Sequence, residues 1–156
     1  MAGDPRAVRR GQGRRWCVGG VVVSPFANGR VAILHVEDSA PVREVVRRAL
    51  QAFGFSVESA DGVRAAQRAL TERDDIAGAL VDVRLRDGSG VDLYRWIAAH
   101  RPALVKRVAF LTGSADDEAF APLATIGCPV IRKPFEIAEL RRVAAQWESL
   151  ADARPP

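Results

Sequence analysis

The sequence predicts an α/β fold, a doubly wound five-stranded parallel sheet with helices on both faces. Three observations carry this. From residue 31 onward, short apolar runs alternate five times with stretches of helical apolar periodicity. Five strand–helix pairs mean a parallel sheet covered on both faces. Polar groups stand at the ends of four of them: Glu37-Asp38, Asp82, Thr112 and Lys133. Right-handed crossovers between parallel strands leave an open sheet as the natural architecture. In such sheets, ligands bind at the carboxyl ends of the strands.

The elements follow in order. Residues 31–36 form the first strand. Val42, Val45, Val46, Ala49, Leu50 and Phe53 recur on one helical face, with Pro41 in the first turn and Gly54 as the stop. Residues 55–59 make a second strand. Asp61-Gly62 opens a helix marked by Val63, Ala66 and Leu70. The run of residues 76–81 is the third strand and ends at Asp82, followed by a Gly-rich loop. A helix over about 89–100 closes at Arg101-Pro102. Residues 105–111 give the fourth strand. Ser114 reads as an N-cap, with Asp117 three residues on and Ala119, Phe120 and Leu123 facing inward. Residues 128–131 are the fifth strand. Ile137, Leu140, Val143, Ala144 and Trp147 mark the last helix, and residues 151–156 form a tail. The expected organisation is an extension over 1–29 and one domain over 30–150, without internal repeat.

Composition bounds the rest. Hydrophobic and charged fractions of 48% and 27% are those of an ordinary soluble globular protein. No apolar run spans a bilayer. Two scattered cysteines, Cys17 and Cys128, make neither a disulfide framework nor a zinc site, so a reducing, cytoplasmic setting is expected. The net charge of +4 is uneven: residues 1–30 hold six Arg and one Asp, the remainder 17 Lys+Arg against 18 Asp+Glu. The basicity lies in the arm, so it argues little for nucleic-acid binding by the folded part. Arg14-Arg15 before an apolar stretch resembles a signal sequence, but Gly19-Gly20 interrupts it and no small-x-small cleavage site follows. The preferred reading is a disordered extension, or a start codon upstream of the true one.

The strand-end residues carry the chemistry. Three carboxylates in one crevice repel, and two unit charges about 4 Å apart cost roughly 4 kcal/mol at an effective dielectric near 20. Lys133 and a divalent ion would offset this. Oxygen donors without His or Cys favour a hard ion, Mg²⁺ above all. A carboxylate beside such an ion, an ammonium and a hydroxyl is equipped for phosphoryl transfer. Singly, each residue has a plainer reading: helix cap, turn former, surface charge, helix-start hydroxyl. The joint placement at successive strand ends favours the chemical one.

Four segments in order resemble the receiver domains of two-component response regulators: residues 33–38, residues 80–85 with Gly90, residues 110–113 and residues 132–135. The resemblance covers about residues 31–147 and implies the flavodoxin-like strand order 2-1-3-4-5. It implies that Asp82 is the phosphoacceptor and that Glu37, Asp38, Asp82 and the Arg84 backbone carbonyl hold Mg²⁺. Thr112 and Lys133 would sense the phosphoryl group, and Lys133-Pro134 would be cis. The implied partners are a histidine kinase or a histidine phosphotransfer protein, with an unknown downstream protein. The chain would then be a regulatory phosphoacceptor, with at most self-phosphorylation and self-dephosphorylation activity.

Two positions depart from the family pattern. Arg86 stands where a proline is usual, implying a more flexible loop. Val130 replaces the switch aromatic, leaving Thr112 and the loop after it as reporters. His35 lies within a strand and reads as a satisfied core or face histidine, Trp96 as a packed flank and Cys128 as an inert core thiol.

Alternatives stay open. A terminal receiver of a hybrid histidine kinase would look the same. A haloacid-dehalogenase-like phosphatase would want a second Asp where Arg84 stands, and an insert capping its pocket. A nucleic-acid role would rest on the arm and vanish on deleting 1–30.

Overall fold

The computed structural model describes residues 16–18, 21–23, 26–27, 30–113 and 117–152, with side chains over 30–113 and 122–148. Five parallel strands form its centre: β1 (Arg30–Val36), β2 (Ser56–Ala60), β3 (Ile76–Asp82), β4 (Val108–Thr112) and β5 (Val130–Arg132). Their order is β2-β1-β3-β4-β5, the expected doubly wound arrangement. The register aligns the strand ends. Val36 lies beside Ala60 and Val81, Asp82 beside Leu111, and Arg132 beside Thr112. Each strand therefore delivers its next residue to a common edge.

The helices are α1 (Ala40–Ala52), α2 (Val63–Glu72), α3 (Gly90–His100), α4 (Asp117–Ile126) and α5 (Ile137–Asp152). Alternation along the strands splits the core in two. Leu34, Val36, Val81 and Phe110 pack with Ala66, Leu70, Leu93, Ile97 and Leu123 from α2, α3 and α4. Ile33, Leu80 and Leu111 pack with Val46, Leu50, Leu140, Val143 and Trp147 from α1 and α5.

Gly78 marks where α5 presses hardest on the sheet. A Cβ there would lie 2.4 Å from Trp147 Cε3, and Trp147 is buried with no room to retreat. Gly78→Ala is expected to cost about 1–3 kcal/mol, the usual penalty of overpacking. A urea denaturation midpoint equal to that of the parent chain would show that Trp147 is not so seated.

The periodicity placed the elements well, with local differences. Residues 105–107 belong to a 3-10 turn, Pro102–Arg107, and the strand begins only at Val108. Proline favours the turn's start, and Arg107 Nη2 bonds the Ala103 carbonyl at 3.0 Å. The fifth strand starts two residues late, at Val130, although the Pro129 carbonyl ahead of it already accepts the Phe110 N–H. Val45 and Ile137, expected inside, are 56% and 51% exposed. Before β1, Trp16–Val18 pairs antiparallel with Val21–Val23, and Phe26–Ala27 pairs with the first residues of β1. The arginines at 6–15, the Ser114 cap and the end of the tail lie outside the described residues, as do the side chains of Asp117, Ala119 and Phe120.

Candidate functional site

The common edge of the sheet gathers every residue expected there. Glu37 follows β1 and its N–H bonds the Ala60 carbonyl at 3.0 Å, tying the strand's exit to β2. Its carboxylate is buried. Oε1 accepts the Ser39 N–H at 3.0 Å and Oε2 accepts Lys133 Nζ at 2.5 Å. Asp82, the last residue of β3 and 7% exposed, accepts Lys133 Nζ on Oδ2 at 2.5 Å and the Arg84 N–H on Oδ1 at 3.0 Å. Lys133 is set by β5: its N–H bonds the Thr112 carbonyl at 2.7 Å, and the peptide to Pro134 is cis, as expected. Thr112 ends β4, buried beside this group.

Glu37, Asp38 and Asp82 each offer a carboxylate oxygen within 4.8 Å of the others. Hard oxygen donors so close together, with no His or Cys in the group, fit a divalent ion such as Mg²⁺. The electrostatics agree. Burial pushes the Glu37 carboxyl up, against the bonds from Lys133 and Ser39 that pull it down. Burial pulls Lys133 down, yet its bonds to Asp82 and Glu37 carry it above its ordinary value. The ammonium thus stays charged between two carboxylates.

The loop after β3 is shaped for this site. Gly90 opens α3 so close to the strand that a Cβ would meet the Asp82 carbonyl at 2.3 Å. Arg84–Leu85 pairs antiparallel with Gly88–Ser89, forming a small hairpin beside Asp82. Asp87 accepts the Val63 and Arg64 N–H groups at 2.8 and 3.0 Å, anchoring the hairpin to the start of α2. The Arg64 N–H, with that of Val63, holds the Asp87 carboxyl below its ordinary value.

Arg86, expected only to loosen this loop, reaches across to Asp38. Nη2 donates to its carbonyl at 2.9 Å, and Nε lies 3.6 Å from its carboxylate. Arg43 reaches the same stretch, donating to the Glu37 carbonyl at 2.7 Å and the Asp38 carbonyl at 3.4 Å. Neither contact was read from the sequence. Arg43 left a signal, since a cation in a helix's first turn opposes the macrodipole and asks for a reason.

His35 needs correction. It is fully buried beneath the site, and neither ring nitrogen has a hydrogen-bond partner. Burial first, then the charges of Lys133 and Arg43, pull its pKa to about 3. The other plain readings fit: Trp96 flanks the core and stacks on His100 with ring centroids 4.4 Å apart. Cys128 is half-buried, and burial pushes its thiol up.

The chain is similar to known proteins. The transcriptional regulatory protein GltR of Pseudomonas aeruginosa is 34% identical over 115 residues, covering 73% of this chain and 47% of that protein. The response regulator MprA of Mycobacterium tuberculosis is 38% identical over 121 residues, covering 70% and 47%. The chain thus spans about half the length of these curated relatives. A response regulator receiver protein from Pseudomonas putida superposes with a TM-score of 0.69 at 28% identity, covering 75% of this chain and 97% of that structure. The family model described as the response regulator receiver domain matches residues 33–145, and the chain belongs to that family.

Proposed function

We propose that the domain over 30–150 accepts a phosphoryl group on Asp82 from a phosphohistidine of a histidine kinase or histidine phosphotransfer protein. The observation that carries this is Lys133 Nζ, 2.5 Å from both Glu37 and Asp82, inside a group of three mutually close carboxylates. An Asp82 carboxylate oxygen attacks phosphorus, the bond from phosphorus to the donor nitrogen breaks, and the electron pair leaves with the imidazole. Lys133 faces the phosphoryl oxygens and offsets their charge, while the Thr112 hydroxyl donates a hydrogen bond to one of them. Glu37, Asp38, Asp82 and the Arg84 carbonyl would hold Mg²⁺, which supplies further positive charge to the phosphoryl group when bound. The pull on Thr112 would displace the loop after β4 and alter a protein contact on the face of α4, β5 and α5, in a cytoplasmic setting. Val130, half-buried against the core, offers no ring to turn inward.

The test is phosphorylation by acetyl phosphate in Mg²⁺, followed by intact mass. The parent chain is expected to gain one base-labile phosphoryl group, and Asp82→Asn none. Equal labelling of Asp82→Asn, or full labelling in excess chelator, would remove the assignment.

A further inference from the structure

We infer that Arg86 is a built-in counter-ion of the acidic site, competing with the divalent ion for Asp38 and so setting how tightly that ion binds. The inference rests on the reading of Glu37, Asp38 and Asp82 as the metal ligands. The Lys133 ammonium is spent on two of the three carboxylates, Glu37 and Asp82. Arg86 faces the third, with Nε 3.6 Å from Asp38 Oδ2 and Nη2 2.9 Å from its carbonyl oxygen. Its backbone is not free to wander, because the next residue, Asp87, is fastened to the start of α2 by two hydrogen bonds. The guanidinium therefore bridges the loop after β3 to the loop after β1.

A guanidinium in this place acts on a divalent ion in two ways. It pairs with the Asp38 carboxylate from 3.6 Å, a pairing the ion has to displace, and it repels a doubly charged ion at close range. Its side chain is 78% exposed, so it can swing away at little cost, and the effect is that of a surface charge. Removing the charge should tighten Mg²⁺ binding roughly twofold to fivefold, with the gap closing as salt screens it.

The experiment is calorimetric titration of Mg²⁺ into the full chain and into Arg86→Ala, Arg86→Gln and Arg86→Lys, at low salt and in about 1 M salt, where the screening length is roughly 3 Å. Ala and Gln should both tighten binding by that factor at low salt, Lys should stay near the parent value, and the differences should shrink in high salt. Gln keeps a donor for the Asp38 carbonyl without the charge, so tightening in Ala alone would mean a steric effect and overturn the inference. Unchanged affinity in Ala, with the parent chain still binding, would overturn it while leaving the metal-site reading intact. Absence of Mg²⁺ binding in every chain would overturn both.

Discussion

Replacing Lys133 with alanine is expected to slow phosphorylation of Asp82 by about 10²–10³-fold, the usual cost of removing one preorganised donor to developing negative charge. It should also destabilise the fold in metal-free buffer. Glu37 and Asp82 both bond this ammonium at 2.5 Å, and Glu37 is 1% exposed. Removing one member of a buried pair costs about 3–5 kcal/mol. With Lys133 itself 20% exposed, the loss should be nearer about 2–3 kcal/mol.

The sign of the pH dependence follows from Glu37. Burial already holds its carboxyl above the ordinary value, and Lys133 is among the groups that restrain the rise. Without Lys133 the folded state grips a proton more tightly than the unfolded chain does. Stability contributed by that proton is present at low pH and is lost as pH rises through the folded-state value. The penalty of Lys133→Ala should therefore be larger at pH 8 than at pH 5. Mg²⁺ should recover part of it by restoring positive charge. Urea midpoints at both pH values, with and without Mg²⁺, read this directly. If rate and stability both match the parent chain, Lys133 is not the cation that balances the site.

Much of this site was legible because parallel-sheet topology turns strand ends into neighbours. Glu37, Asp82, Thr112 and Lys133 are far apart in sequence, yet each follows or ends an apolar run, and the fold does the gathering. What periodicity lacks is knowledge of what lies opposite. Val45 and Ile137 continue the apolar stripes of α1 and α5, yet both are left in solvent. Residues 105–107 look like strand because Val105 precedes the apolar run of β4, while the backbone there belongs to a 3-10 turn in which Leu104 is the buried residue. Arg86 touching Asp38 is a contact across 48 residues between two loops, with no periodic signature. The missing proline gives a reason to notice Arg86 but says nothing of the contact it makes. A satisfied His35 was the natural expectation, since burial of polar groups without partners is rare. The sequence carries no count of hydrogen-bond partners inside a core.

His35→Leu is expected to stabilise the fold at pH 7. The imidazole is carried by the next-to-last residue of β1, beside Ser59 and Leu80, fully buried, with Nδ1 and Nε2 both lacking a partner. A buried polar atom left unsatisfied costs about 1–3 kcal/mol, and a leucine of similar volume carries no such atom. The gain should be of that size. It should grow in acid, because the folded state holds the His35 pKa near 3, through burial first and then Lys133 and Arg43, against 6.5 in the unfolded chain. Between those values the unfolded state binds the extra proton, so folding loses about 1.4 kcal/mol per pH unit as pH falls. At pH 5 the advantage of the variant should therefore exceed its value at pH 7 by about 2 kcal/mol. Phosphorylation of Asp82 should be nearly unchanged, since a neutral ring adds no charge to the site above it. Denaturant melts of both proteins at the two pH values measure the effect. A destabilised variant, or an advantage that does not depend on pH, would mean that the ring is satisfied in solution, most simply by an internal water.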